Sequence, residues 1–543
     1  MERDDIKFEA TTPVNIELLQ KELAFYPDKQ FVDYLINGFK FGFDTGISML
    51  PNESYVCKNL RSALNEPEVV SNLIDSEIQK GYLLGPFNQS PFTVYRISPI
   101  GLATGKYSGK KRLIIDLSAP RDNSDHISIN SLIDKDEFSL KYVKIDDAIK
   151  ILLKLGVGSW LCKTDISDAF KQVPINPSLW HIHGIQWENK LYFYTRLTFG
   201  CRSSPRIFDN LSRAICWIAH RKYKVDHILH LLDDFLTIDS PTAIPERNMA
   251  VLVHLFASLS IPTAPKKTIG PTNVIEYLGI TLDSIKMEAR LPEDKLRRIV
   301  EFIDKCIGKS FLTKRELLSL LGHLNFACRV IIPGRSFVSY LIELSKQGNN
   351  LYDKVKLNKE CRQELEMWFK FLSQWNGIAL FLDDSITPAP DFDLYTDASS
   401  TLGYGGYFDG KWFQGEWPQQ LTKLNNSAIS MALLELYPIV IAAMLWGHQW
   451  ARKRICFHCD NQATVYILNK KRSKSPVIMM LMRRLAWCAA TNNFFIYSAH
   501  LPGKTNEICD AISRFQMDRF RRLAPQAAPL PCQVPEFSDL ILF

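Results

Sequence analysis

The chain has 543 residues and a mass of 62.3 kDa, with 46% apolar and 23% charged residues. That excludes a single ordinary domain and any wholly disordered or collagen-like chain, and points to about two to four domains. Sixty-five Lys and Arg against 58 Asp and Glu leave +7, an excess that permits a polyanionic partner without demanding one. Twelve cysteines without framework spacing fit a reduced intracellular protein, with cytoplasm and nucleus both open. MERDDIKFEA lacks the apolar core of a signal peptide. The most apolar stretch, Ile439 to Leu445, is broken at Gly447 and His448, so no membrane embedding is expected.

In chain order, the first hundred residues mix short helical patterns with the turn-rich segments GPFNQSPF and SPIGLATG. Strand-like runs follow at Arg112 to Leu117 and at Trp160 to Ile166, the second carrying Asp165. HIHGIQW and LYFYTRL, joined by ENK, alternate with period two and predict a hairpin. Ser203 or Ser204 can then cap a helix with Pro205 in its first turn, and Phe208, Leu211, Ile215 and Ile218 recur at helical spacing. His227 to Ile238 predicts a second hairpin, bent around two adjacent aspartates. From Leu291 the pattern turns helical, with a capping box at Thr313 and Glu316 ahead of the stripe Leu317, Leu320, Leu321, Leu324. An acidic, Pro-containing run near 382–393 marks a boundary, and four prolines between Ala524 and Glu536 predict a flexible tail.

Asp165, Asp233 and Asp234 are the most informative residues. A lone Asp after a strand is ordinarily a turn or cap, but two adjacent aspartates in HLLDDFLTI repel unless a cation compensates. Three carboxylates on neighbouring strands can hold two Mg²⁺ ions, which suits activation of a 3′-hydroxyl and stabilisation of a pyrophosphate leaving group.

The ordered set of motifs resembles the reverse transcriptases of retroelements, most closely those of the tyrosine-recombinase (DIRS-like) retrotransposons. KKRLIIDLSAP resembles the fingers motif, which implies triphosphate contacts for Arg112 and for Lys110 or Lys111. KTDISDAF resembles the first palm motif, with Asp165 as metal ligand and Phe170 at the steric-gate position; the plainer reading of Phe170 is a core aromatic. LTFGCRSSPRIF implies that Gly200 shapes the template and nucleotide pocket. HLLDDF matches the Y-x-D-D box in its aspartates, with Leu231 in place of the tyrosine. Lys266 or Lys267 resembles the lysine that protonates pyrophosphate, and IEYLGITLD the primer-gripping hairpin. FVDYLINGFKFGF, LGPF and SPIG resemble the lead-in of this group, and RELLSLLGHLNFACRVIIPGRSF its thumb.

A second set of acids follows. Asp397 ends an apolar strand, Glu435 interrupts the apolar MALLELYPIVIAA, Asp460 ends RICFHCD, and Asp510 sits in NEICDAISR. Their strand–helix–strand–helix distribution fits a second two-metal site for phosphodiester hydrolysis. The region resembles the retroelement ribonuclease H domain, which makes these four its metal-binding acids; His500 precedes the loop proline and is read as structural or substrate-side. In NKKRSKS, residues Lys470, Lys471, Arg472 and Lys474 form either a solvated loop or a phosphate handle. Cys456 and Cys459 have zinc-knuckle spacing, but the strand pattern favours core packing.

The resemblance implies an α+β right-hand polymerase followed by an α/β ribonuclease H-like domain. Its expected divisions are a lead-in contributing to the fingers (1–95), fingers and palm (96–285), helical thumb and connector (286–390), ribonuclease H-like domain (391–515) and flexible tail (516–543). It implies Mg²⁺ (two ions per site, with Mn²⁺ an alternative), an RNA template, a DNA primer, an RNA–DNA hybrid and deoxynucleoside triphosphates as partners, with an element-encoded recombinase as a further one. The alternative is a catalytically silent, domesticated nucleic-acid-binding protein; its mark would be loss of catalytic acids, and all seven are present.

Overall fold

Period-two strands alternate with amphipathic helices along this chain. In the computed structural model it divides into two compact units, Met1–Tyr277 and Leu278–Phe543. The described residues are 8–542 apart from 106–108, 122–124, 375–378, 381–391, 424–429 and 452; most of the expected boundary run near 382–393 lies outside them.

In the first unit, β1 (Ile100–Thr104) and β2 (Lys111–Ile115) form an antiparallel ribbon. β3 is Trp160–Asp165, and β4 (Gly184–Trp187) and β5 (Lys190–Tyr194) make the expected hairpin. Glu188 and Asn189 turn it with φ of 47° and 61°, the two positive angles of a type I′ turn. The first half of HIHGIQW departs from expectation: Pro177–Ile182 is a 3-10 helix that Pro177 starts and Asn176 caps.

Helix α1 (Ser204–Tyr223) has Pro205 in its first turn as expected, but the Ser203 side chain makes no cap bond and instead lies 3.3 Å from the Cys201 thiol. β6 (Ile228–Leu231), β7 (Asp234–Asp239), helix α2 (Arg247–Ser258) and β8 (Ile269–Thr272) follow. The order β8-β3-β7-β6 is antiparallel throughout. Its inner residues share one core with the lead-in: Leu19, Leu35, Phe39 and Phe43 join Phe208, Phe235 and Phe256.

In the second unit, α3 (Glu293–Ile307) and α4 (Lys314–Ala327) carry the helical pattern, and α4 opens on the expected capping box of Thr313 and Glu316. The Leu317, Leu320, Leu321 and Leu324 stripe is buried. α5 (Lys359–Gln374) buries Glu364, which accepts from the Tyr340 and Leu341 amides and from Arg483 at 3.0 Å. Arg483 lies on the helix Pro476–Thr491, so a buried ion pair ties the helical segment to the next layer; breaking such a pair costs about 3–5 kcal/mol.

That layer is a five-stranded sheet: β9 (Phe392–Ala398), β10 (Gly403–Phe408), β11 (Lys411–Glu416), β12 (Arg454–Cys459) and β13 (Phe495–His500). Its order is β11-β10-β9-β12-β13, with β9 antiparallel to β10 but parallel to β12. α6 (Met431–Trp446), α7 (Gln462–Lys470) and α8 (Pro476–Thr491) connect its parallel part. Counter to the expectation of no span-length segment, Met431–Gln449 is long and apolar enough to cross a membrane, with a mean hydropathy of 1.5. It is 78% buried, because it is the central helix of this core.

The expected flexible tail is instead ordered and packed. After α9 (Glu507–Ser513), α10 (Met517–Leu523) buries Phe520, and Ala524, Ala527, Phe537 and Leu540 are buried beyond it. Trp412 donates to the Ala528 carbonyl at 2.8 Å, and Arg521 to those of Ala527 and Pro529 at 3.0 and 2.7 Å. The prolines lack N–H groups, but the intervening carbonyls have donors and the apolar anchors have a core to enter.

Candidate active sites

Antiparallel register builds the first site. Asp165 at the end of β3 is the cross-strand partner of Asp234 at the start of β7, so both carboxylates leave the same face. Asp233 sits in the two-residue turn between β6 and β7, where Leu232 takes φ of 55°. The Asp233 carbonyl accepts from the Ile166 amide at 3.1 Å, which pins the turn to the strand carrying Asp165. Asp165 is 6% exposed.

Burial raises Asp233, and the Asp165 charge raises it further. Burial also raises Asp234, against the pull of Lys163 at 3.0 Å. Lys267 donates to both Asp165 oxygens at 2.9 Å. Of the two candidate lysines, both exposed, Lys267 is the one that reaches Asp165. The signal for Lys163 is its period-two relation to Asp165, which places both on one face of β3.

The other expected nucleotide contacts are placed less uniformly. Arg112 is exposed on β2 and Lys110 is exposed just before it, while Lys111 pairs with Glu66. Gly200 has φ of 99°, and a Cβ there would stand 2.3 Å from the Ile115 carbonyl, so only glycine lets this turn lie against β2. Asn130, buried and unforeseen, bonds the Gly200 carbonyl at 2.8 Å and accepts from the Arg202 amide at 2.8 Å. Phe170 lies in the short turn Ala169–Gln172 at 7% exposure, 4.8 Å from the ring of exposed Phe199 and 5.6 Å from Phe208. It is a core aromatic by environment.

The second site gathers around β9 and β12. Asp397 is buried and accepts from the Ser513 hydroxyl at 2.5 Å. Burial lifts it to about 6. Glu435, on α6 and 2% exposed, is pushed up to about 9 by burial and by the charges of Asp397 and Asp460. Glu435, Cys459 and Asp460 place ligand atoms within 4.8 Å of one another. Gly503 passes so close that a Cβ would stand 2.8 Å from an Asp460 carboxylate oxygen. His500 lies 3.1 Å from the Asp460 carbonyl, a backbone contact.

Asp510, on α9, differs in kind. Burial would raise it, but Arg514 at 2.5 Å and Arg519 at 2.7 Å hold its carboxyl below the usual range. Arg514 was visible in principle, four residues after Asp510 on one helix face; Arg519 was not, because a helix break intervenes. Cys459 was read only as core, and it stands 3.9 Å from Glu435. In the basic stretch, Lys470 ends α7 and Lys471 takes φ of 56°, with its carbonyl accepting from Ser336 at 3.0 Å. Lys470, Arg472 and Lys474 are exposed.

Carboxylate oxygens suit hard divalent cations, and burial leaves their charge costly unless compensated; at the second site the ligand atoms of Glu435 and Asp460 converge with the Cys459 thiol. The sheet orders give an α+β unit with an antiparallel sheet followed by a unit with a mixed five-stranded α/β sheet, the architecture expected of a right-hand polymerase and a ribonuclease H-like domain. Sequence comparison agrees: residues 95–282 match the family model described as reverse transcriptase (RNA-dependent DNA polymerase).

The chain is 21% identical over 438 residues to Polyprotein P3 of Commelina yellow mottle virus, covering 77% of this chain and 20% of that one. It is 22% identical over 462 residues to the retrovirus-related Pol polyprotein from transposon 297 of Drosophila melanogaster, covering 83% and 38%. Among solved structures it is similar to the foamy viral protease-reverse transcriptase in complex with RNA/DNA hybrid, with a TM-score of 0.48, 15% identity and coverage of 90% and 63%. The chain is thus similar in sequence to retroelement and viral polyproteins, and it spans well under half the length of these two.

Proposed function

We propose that this protein is an RNA- and DNA-templated DNA polymerase that also cleaves the RNA strand of RNA–DNA hybrids. The observation that carries the reading is the presence, in one chain, of two separate sets of acids: Asp165, Asp233 and Asp234 on the strands and turn of one sheet, then Asp397, Glu435, Asp460 and Asp510 on the strands and helices around another. Motif order supports kinship with the tyrosine-recombinase (DIRS-like) group, through FVDYLINGFKFGF, LGPF and SPIG.

At the first site, Asp165 and Asp233 would hold Mg²⁺ with Asp234 assisting; at the second, Asp397, Glu435, Asp460 and Asp510 would hold it. Bound Mg²⁺, or Mn²⁺ in its place, supplies the Lewis acidity that activates a hydroxyl or water and offsets charge on the leaving oxygen. The remaining work belongs to side chains. Lys267, which donates to Asp165, would give a proton to departing pyrophosphate once it has left that carboxylate. Gly200 and Asn130 hold the turn beside β2, where Arg112 and Lys110 would meet the triphosphate. Phe170 backs Phe199 and would limit space under the sugar. Lys470, Lys471, Arg472 and Lys474 would grip phosphates of the hybrid, which is read by shape and 2′-hydroxyls rather than by base.

The test is Mg²⁺-dependent primer extension on RNA, with hybrid cleavage followed in the same tube, for the wild type and for Asp233→Asn and Asp460→Asn. Each variant losing only its own activity supports two independent sites. Tight hybrid binding with neither activity, in Mn²⁺ as well, would replace this reading with that of a silent binding protein.

A further inference from the structure

On β9 and β12, and apart from the seven acids, three chemically unlike donors meet. Asp393 of β9 is the cross-strand partner of Cys456 of β12, and His458 follows two residues later on the same face. Their ligand atoms all lie within 4.8 Å of one another. Asp393 is half-exposed at the rim, Cys456 is 2% exposed, and His458 lies between.

The imidazole is already oriented: Tyr395 stacks on it at 4.8 Å and 11°, and Nε2 lies 2.7 Å from Asp393 Oδ1. An ordinary His–Asp ion pair accounts for that distance but not for the other ring nitrogen. His458 Nδ1 is buried with no hydrogen-bond partner among the described residues, and it stays so whichever nitrogen carries the proton. The Cys456 thiol beside it contacts the Tyr497 hydroxyl across the β12–β13 pair, below an Arg454 guanidinium that stacks on the Tyr497 ring.

We propose that Asp393, Cys456 and His458 form a site for a zinc-class transition-metal ion that clips β9 to β12. A thiolate, an imidazole and one carboxylate make a borderline-soft donor set, which takes Zn²⁺ or Co²⁺ and rejects Mg²⁺. The half-exposed rim at Asp393 gives the ion an entry path and a solvent molecule for its fourth position. Asp397 lies four positions beyond Asp393, roughly 13 Å along an extended strand, and Asp460 four positions beyond Cys456, so this ion would be distinct from any held by the hydrolase acids. The proposal does not depend on either activity of the chain.

The probe is Co²⁺ alone, added to the full chain in excess Mg²⁺, with thiolate-to-cobalt absorption as the readout and Zn²⁺ as the displacing ion. The wild type and Cys459→Ser should give the band, Cys456→Ser should abolish it, and Asp393→Asn should weaken Co²⁺ binding by about tenfold or more. Zn²⁺ should also raise the unfolding temperature of the wild type but not of His458→Gln. If Cys456→Ser does not fold, His458→Gln and Asp393→Asn decide the matter, since both change the rim rather than the core. A wild type without the band overturns the proposal. So does a band that survives Cys456→Ser and disappears in Cys459→Ser, which would put the ion beside Glu435 and Asp460.

Discussion

The two carboxylate clusters solve one electrostatic problem differently. At the first, lysines stand against the acids: Lys267 on Asp165 and Lys163 on Asp234. At the second, arginines take only Asp510, while Asp397 and Glu435 are left to burial and shift to about 6 and about 9. The first cluster is compensated within the protein and must give up a cation to accept one. At the second, burial favours a proton on Glu435 at neutral pH, and a divalent ion must expel it.

The largest effects test whether the clusters are separate. Asp233→Asn should lower primer extension by more than about a hundredfold, beyond what losing even a supporting residue around a metal costs, with hybrid cleavage intact. Asp460→Asn should do the reverse; parallel assays on one preparation check both. Next comes the lysine. Lys267→Met should cut the extension rate by about a hundredfold through loss of the acid, yet lower the Mg²⁺ concentration needed for half-saturation. Lys266→Met should leave both within about twofold, as for an exposed surface charge. Steady-state titration with Mg²⁺ reads rate and saturation together.

The protons at the second cluster predict a pH dependence. With metal chelated, the folded state holds protons on Glu435 and Asp397 that the unfolded chain has released. Stability from these groups is therefore complete below the ordinary carboxylate range and falls as pH rises through about 6 and then about 9. The slope is at most about 1.4 kcal/mol per pH unit for each group. Glu435→Gln should flatten it in denaturant unfolding at about pH 5 and about pH 8, and an unchanged slope would remove the proton from the comparison. The smallest effect is at Asp510. Arg519→Ala, with Arg514 still in place, should shift the Mg²⁺ half-saturation of cleavage by no more than about tenfold, read on the hybrid substrate.

Much of this was legible in the residues. Adjacent aspartates in an apolar hairpin, an acid inside the apolar Met431–Trp446 helix, and the Thr313/Glu316 capping box are local signals, and each names its own element. The misses depended on contacts between elements. Proline content in the C-terminal segment predicted flexibility, because composition does not show that Phe520, Phe537 and Leu540 have a core to enter or that Arg521 supplies donors to its carbonyls.

Chain order and periodicity by themselves determined which acids end strands, because side-chain direction follows from spacing along one element. Only the tertiary structure decided which cation faces which acid: Lys267 rather than Lys266 on Asp165, Arg519 on Asp510, and the meeting of Asp393 with Cys456 and His458. Those pairings are set by strand register and helix packing between residues far apart in the chain, and Coulomb interaction depends on that distance in space rather than on separation in sequence.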